Sequence, residues 1–194
     1  MKTADLINHF SVQTTLPVDV NDVLSCLRLN GIDDEIEFIG VELDPDILQG
    51  QIKIFYVRDG LYGDARRYAN IYYHRGHDLA WQRLVCCKEL IHLLDPHSAE
   101  TTSMNAISAL AEKIGLPPEM QEAAKDGLAV NIDRLAEYRA VAILFPWTAR
   151  ETLMPHFKSG AVKLDDIARL VDIPRKYAAF VMHDAWEKFY PLIS

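Results

Sequence analysis

The feature that most constrains the fold is a segment, residues 83–95, that is apolar on nearly every side of a predicted helix. Such a helix must be surrounded by other elements, because its apolar surface is too wide to face water. Its polar residues fall within about a third of the helix circumference, at about 100° per residue. They are Lys88, Glu89, His92 and Asp95. Polar groups on a buried helix are costly unless paired, so this stripe predicts either a built site or a satisfied internal network.

Three of these residues are spaced like part of a zinc-binding helix. In the pattern His-Glu-x-x-His, two imidazoles one turn apart bind the ion, and the Glu takes a proton from metal-bound water. Here Glu89 and His92 occupy the second and fifth positions, and Lys88 stands at the first. An ammonium has no lone pair, and deprotonating a lysine of pKa about 10.4 near neutrality costs several kcal/mol. The spacing therefore predicts a metal site that is impaired at its first ligand.

A second polar pair lies on a helix predicted from about residue 131 to residue 145. Asp133 and Glu137 are one turn apart on the same face. The pair can supply one carboxylate to a metal and a second carboxylate behind it. It can equally form salt bridges, and at this stage both interpretations stay open. The cations that could neutralise it are Lys88, Arg139 and Arg150.

In this order, the two helices resemble the ImmA/IrrE family of zinc metallopeptidases. In that family a short strand and a His-Glu-x-x-His helix precede a helix of the form Glu-x-x-Ala-Asn-x-Phe-Ala-x-x-Leu-Leu-Met-Pro. In this chain the second pattern aligns with residues 133–146. Asp133 stands in place of the Glu, Ala136 matches the Ala and Glu137 replaces the Asn. Arg139 and Ala140 stand at Phe-Ala, and residues 143–146 align with the final Leu-Leu-Met-Pro. The resemblance spans roughly residues 17–182, with specific motifs only in these two helices.

The resemblance implies a role for each matching residue. Glu89 would be the general base, and His92 and Asp133 would be metal ligands, with Glu137 as a further carboxylate. Asp95 and His97, at the end of the first helix, are the candidates to complete the ligand set in place of Lys88. Glu89 with His92 also matches the Glu-x-x-His unit of di-iron bundles, but that architecture needs a second such unit and none is visible.

Elsewhere the sequence predicts an α+β protein, treated as one domain over residues 1–194. A small antiparallel three-stranded sheet packs on a helical, zincin-like core, and the C-terminal end is helical. Residues 17–95 hold the sheet and the site helix, with Asp78 as its N-cap, and residues 96–194 form the helical part. The strands are predicted at 35–43, 51–57 and 67–74, and the further helices at 18–29, 103–114, near 119, at 164–170 and at 175–188.

Composition excludes several classes of function. A formal charge of −8 argues against direct nucleic-acid binding, which needs a basic face. No apolar run is long enough for a membrane span, and the first residues lack the apolar core of a signal peptide, so we expect a cytoplasmic protein. The two C-terminal helices look superficially like a helix-turn-helix, but the run 178–182 is packing material and favours two helices that close the core. Cys86 and Cys87 are expected to be plain buried thiols.

Three hypotheses for function remain. The first is a bacterial, zincin-like pseudoenzyme with a degenerate metal site and no cofactor, kept as a regulatory or protein-binding module. By resemblance its partner would be a helix-turn-helix regulator of phage, of other mobile elements or of stress responses, or a peptide laid along the third strand. The alternative is an active metallo-endopeptidase that binds zinc through an altered ligand set. The third is a purely structural role. The sequence leaves the oligomeric state open.

Overall fold

The computed structural model describes residues 1–42, 50–58, 60, 63–94 and 124–194, with side chains in the last range from residue 133 onward. Within these residues the chain forms eight α-helices and one three-stranded sheet, so the predicted α+β class with a helical C-terminal end is confirmed. The bounds are α1 Thr3–Ser11, α2 Val20–Leu29, β1 Glu35–Val41, β2 Gly50–Arg58, β3 Ala65–His74, α3 Leu79–Ile91 with a 3-10 turn His92–Leu94, α4 Ala124–Leu144, α5 Trp147–Lys158, α6 Leu164–Val171, α7 Arg175–Val181 and α8 Ala185–Ile193.

The sheet is mixed, and the prediction of an all-antiparallel sheet was wrong. Its order is β1-β3-β2, with β2 antiparallel and β1 parallel to β3. Alternating hydrophobicity identifies each strand but carries no information about which neighbour it pairs with or in which direction. Because β3 is the central strand and is paired on both sides, a peptide cannot be laid along it as the third-strand hypothesis required.

One face of the sheet is buried beneath α3. Ile52, Ile54, Ala69 and Ile71 lie on this face, in neighbouring register positions of β2 and β3. At the start of β2, a side chain on Gly50 would meet a methyl group of Val85 at 2.1 Å. Glycine at this position therefore lets the edge of the sheet approach the backbone of α3 closely.

Helix α3 is buried between the sheet and α4, as its apolar sequence predicts. Asp78 caps it by accepting a hydrogen bond from the Trp81 N–H at 2.9 Å, which confirms the predicted N-cap. Leu90 and Ile91 are fully buried. The cysteines are buried free thiols, also as predicted, and burial raises the pKa of Cys86 to about 12.

The C-terminal helices α6 and α7 pack against the core of the protein. Tyr177, Ala178 and Val181 of α7 are buried. The exposed cation Arg175 is paired with Asp165 of α6. These three residues of α7 therefore pack in the core, as the packing interpretation of the two helices predicts.

Several boundaries differ from the predictions. The helix predicted at 175–188 is two helices, α7 and α8, separated at residues 182–184. Helix α1 was not predicted, although Leu6, Ile7 and Phe10 give it a buried face. The helices predicted at 103–114 and near 119 lie outside the described residues. Among the helices that are described, none combines the length and the apolar character needed to cross a membrane.

The C-terminal helices converge on a buried guanidinium. Arg150 of α5 is fully buried, and its Nε donates a hydrogen bond to the Val181 carbonyl at 2.7 Å. Its two terminal nitrogens reach Glu151 at 2.6 Å and Glu187 at 3.1 Å. The guanidinium also lies over the ring of Trp147, 5.2 Å from its centroid. One side chain thus joins α5, the end of α7 and α8.

We expect Arg150→Ala to lower the free energy of unfolding by about 3 kcal/mol, because it opens a cavity and leaves a buried carbonyl without a donor. Chemical denaturation followed by circular dichroism measures this change. Arg169→Ala, which removes an exposed arginine paired with Asp166 of the same helix α6, should stay within about 0.5 kcal/mol of the unmodified protein. Equal effects of the two substitutions would show that Arg150 does not hold these helices together.

Candidate functional site

A buried ion pair joins the two helices that carry the motifs. Lys88 on α3 donates a hydrogen bond from Nζ to Oδ1 of Asp133 on α4 at 2.7 Å. The side chains are 13% and 19% exposed, so the pair is largely removed from water. The polar stripe of α3 thus meets the polar face of α4 through the salt bridge of Lys88 with Asp133, one of the two interpretations that the sequence left open.

The environment favours the charged forms of both groups. Burial alone would lower the pKa of Lys88, but the carboxylates of Asp133 and Glu89 outweigh it and raise that pKa well above its usual range. Burial alone would raise the pKa of Asp133, but Lys88, together with a hydrogen bond from His92, holds it well below its usual range. The ammonium therefore stays protonated and the carboxylate stays ionised at neutral pH.

Glu89, the predicted general base, is enclosed. It is 3% exposed, and its Oε1 lies 3.1 Å from Lys88 Nζ without the geometry of a hydrogen bond. Gly50 of β2 lies against it, since a Cβ at that position would be 3.4 Å from the same oxygen. A general base must reach a water or a substrate proton. In the described residues, Glu89 instead faces an ammonium and the edge of the sheet.

His92, the predicted zinc ligand, points to the same oxygen as Lys88. Its Nε2 lies 3.4 Å from Asp133 Oδ1. A zinc ion held by His92 and by this oxygen of Asp133, at about 2.0–2.2 Å, would face the ammonium already bound there. Within the described part of the chain, no three His, Cys, Asp or Glu side chains are arranged as a ligand set. The described residues therefore do not fit a zinc ion.

Glu137 belongs to a different contact. Its Oε1 accepts a hydrogen bond from the Tyr177 hydroxyl of α7 at 2.5 Å. Burial and the charge of Glu137 raise the pKa of Tyr177 well above its usual range. The ring of Tyr177 also packs edge-on against Trp81 of α3, with centroids 5.8 Å apart. Glu137 thus joins α4 to α7 and, through Tyr177, to α3.

The two arginines proposed as partners for this acidic pair bind elsewhere. Arg150 donates hydrogen bonds to the Val181 carbonyl, Glu151 and Glu187. The Nε of Arg139 donates a hydrogen bond to the Ile193 carbonyl at 3.3 Å. Among the cations that the structure describes, Lys88 is the one that donates a hydrogen bond to Asp133. Asp95 and His97, the candidates for completing a ligand set, lie outside the described residues.

Two residues of the site were not predicted. Tyr177 stands 40 positions after Glu137, and no periodicity connects residues on separate helices. Gly50 lies just outside the strand predicted at 51–57, whereas in the structure it is the first residue of β2. Its position immediately before the alternating strand is the only local signal that could have indicated a close approach of backbone.

Comparison with known proteins adds no family assignment. The chain matches no protein-family model, and a search of curated proteins finds no significant relative. The resemblance to ImmA/IrrE peptidases therefore rests on the residues of α3 and α4 alone.

We expect Lys88→Met to lower the free energy of unfolding by about 3 kcal/mol, because it leaves the carboxylates of Asp133 and Glu89 buried without a cation. The double variant Lys88→Met with Asp133→Asn should recover part of this loss, since one of the two buried charges is then removed. A double-mutant cycle by urea denaturation measures the coupling. Strict additivity of the two single substitutions would show that the pair contributes no interaction energy.

The pair also predicts the shape of the stability curve at acid pH. A carboxyl whose pKa is lowered on folding stabilises the protein above its unfolded pKa of about 4, and this contribution declines as the pH falls toward the lowered value. Between about pH 4 and pH 2, the unmodified protein should therefore lose stability more steeply than Asp133→Asn. Asp166→Asn, at an exposed site, should leave the slope nearly unchanged. Parallel curves for the unmodified protein and Asp133→Asn would contradict the lowered pKa.

Proposed function

We propose that this protein is a metal-free relative of ImmA/IrrE-type zinc peptidases that acts as a regulatory, protein- or peptide-binding module. The observation that carries the proposal is the 2.7 Å ion pair between Lys88 Nζ and Asp133 Oδ1. In this view the ammonium of Lys88 replaces the ion, and it joins by charge the same two helices that a zinc would join by coordination.

The enclosure of Glu89 supports a role without hydrolysis. Peptide hydrolysis needs a nucleophilic water beside a base and an electrophilic centre that stabilises the oxyanion. Glu89 is 3% exposed and has an ammonium 3.1 Å away. A carboxylate in that setting stabilises Lys88 and is nearly closed off from solvent, so the module would recognise a partner and leave it intact.

The resemblance suggests the class of partner. Proteins of this type act on helix-turn-helix regulators, so a regulator of mobile elements or stress responses in a bacterial cytoplasm is the partner that we propose. The active metallopeptidase remains the alternative, and stoichiometric zinc on the purified protein would favour it.

Zinc content separates these two functions. We expect elemental analysis of protein purified without chelator to find well under one zinc per chain, because the position of the first imidazole is held by a cation. We further expect Lys88→His to gain a zinc-dependent increase in melting temperature, since a ligand that binds only the folded state stabilises it by mass action. Thermal unfolding with and without zinc measures both proteins under the same conditions.

Two matched variants control this experiment. Lys88→Gln removes the ammonium without supplying an imidazole and should show no zinc response. Lys88→His with His92→Ala should lose the response that Lys88→His gains. If Lys88→His folds but shows no zinc response, then His92 and Asp133 are not placed as ligands and the proposed relationship to zinc peptidases fails.

A further inference from the structure

Strand β1 leaves one edge of the sheet without a partner among the described residues. The Val41 carbonyl accepts a hydrogen bond from the Arg75 N–H at 2.9 Å, within the parallel register with β3. The N–H and C=O groups of successive residues in a strand point alternately to its two sides. Those of Ile36, Phe38 and Gly40 therefore point away from β3. Arg75 also reaches the Gly40 carbonyl, at 3.0 Å. No described residue bonds to the outward groups of Ile36 and Phe38.

A cavity lies beside this edge, on the face of the sheet that the helices cover. Its volume is about 330 Å³, and Phe38 of β1 and Tyr73 of β3 form one wall. The start of α2 and the first turns of α3 form the others, with Val20 and Leu79 among their apolar side chains. A strand paired to β1 would carry every second side chain over Phe38 toward this space.

The opposite face of the same edge is acidic. Glu35 and Glu37 alternate with Phe38 along β1 and are exposed. Residues 1–42 contain eight acidic and two basic residues, so this segment carries a formal charge of −6 out of the −8 of the whole chain. Asp34 is neutralised by Arg67, but no described cation pairs with Glu35 or Glu37.

From these observations we infer that the outer edge of β1 docks an extended basic peptide segment of a partner protein, in which basic and aliphatic residues alternate. The backbone of the segment pairs with Ile36 and Phe38, its aliphatic side chains face the cavity, and its basic side chains face Glu35 and Glu37. A second copy of this chain is disfavoured at the same edge, because it would bring like charges together across the new pair of strands.

The inference deepens the proposed binding role by giving the partner a chemical class and a place to dock. It rests on the proposed binding role. The edge of β1 and the ion pair of Lys88 with Asp133 are nevertheless tested by separate measurements. If the protein carries little zinc but does not bind the peptide, only the docking edge is rejected. If the protein carries zinc and binds the peptide, only the metal-free function is rejected.

The test uses an acetylated, amidated octapeptide of alternating Lys and Val, carrying a fluorophore, and follows its polarisation with the full chain. We expect saturable binding that weakens as salt is raised, together with slower backbone hydrogen exchange in residues 35–41. The same peptide with an N-methyl group on every residue has no backbone N–H donor on either edge, and we expect it to bind at least about tenfold more weakly. A peptide with Glu in place of Lys should not bind.

Variants of the protein test the acidic face separately. Glu35→Gln with Glu37→Gln should weaken binding about fivefold, as expected for the loss of two exposed charge pairs. Asp166→Asn with Asp184→Asn removes the same charge from the C-terminal part of the chain, on α6 and just before α8, and should leave binding unchanged. The inference is overturned by an absence of binding, by N-methylated peptide that binds equally well, by protection of β2 instead of β1, or by a dimer of the protein that pairs through β1.

Discussion

The contact between Lys88 and Asp133 determines how the two halves of the described structure are joined. It connects the helix that lies under the sheet to the helix that begins the C-terminal layer, at a depth where each charge depends on the other. Two charges removed from water stabilise a protein little unless their geometry is good and each charged group also has partners for its remaining hydrogen bonds. Here the ammonium has a second carboxylate, Glu89, at 3.1 Å, and the carboxylate has an imidazole, His92, at 3.4 Å.

A metal and an ammonium meet this structural requirement in different ways. A zinc ion accepts several lone pairs in a tetrahedral arrangement, and its binding energy depends on the concentration of free metal. An ammonium is covalently part of the chain, so its contribution does not depend on any outside component. It cannot polarise a carbonyl or lower the pKa of a water as a zinc ion does. Replacing the ion by a side chain would therefore preserve the packing of α3 on α4 and remove the chemistry.

The polar side chains of α4 serve two different purposes although they are one turn apart. Asp133 faces α3 and Lys88, whereas Glu137 faces α7 and binds the Tyr177 hydroxyl. Each of these partly buried carboxylates accepts a hydrogen bond from a different helix, which fixes the rotation of α4 about its own axis. Buried polar contacts of this kind favour one packing arrangement over others of similar apolar burial. Arg150, which is fully buried, does the same for α5, α7 and α8.

Local sequence was sufficient for features that act within one element. The burial of α3, its cap at Asp78, the three strands and the common face of Lys88, Glu89 and His92 all follow from periodicity and from capping chemistry. Only the tertiary structure decided that β1 runs parallel to β3, that Lys88 pairs with Asp133 and that Glu137 binds Tyr177. It also placed Gly50 against Glu89. These choices join residues up to tens of positions apart, and the free energy that separates one partner from another comes from the packing of whole elements. A pattern along the chain fixes which way a side chain faces on its own helix or strand, and only the fold determines what it meets there.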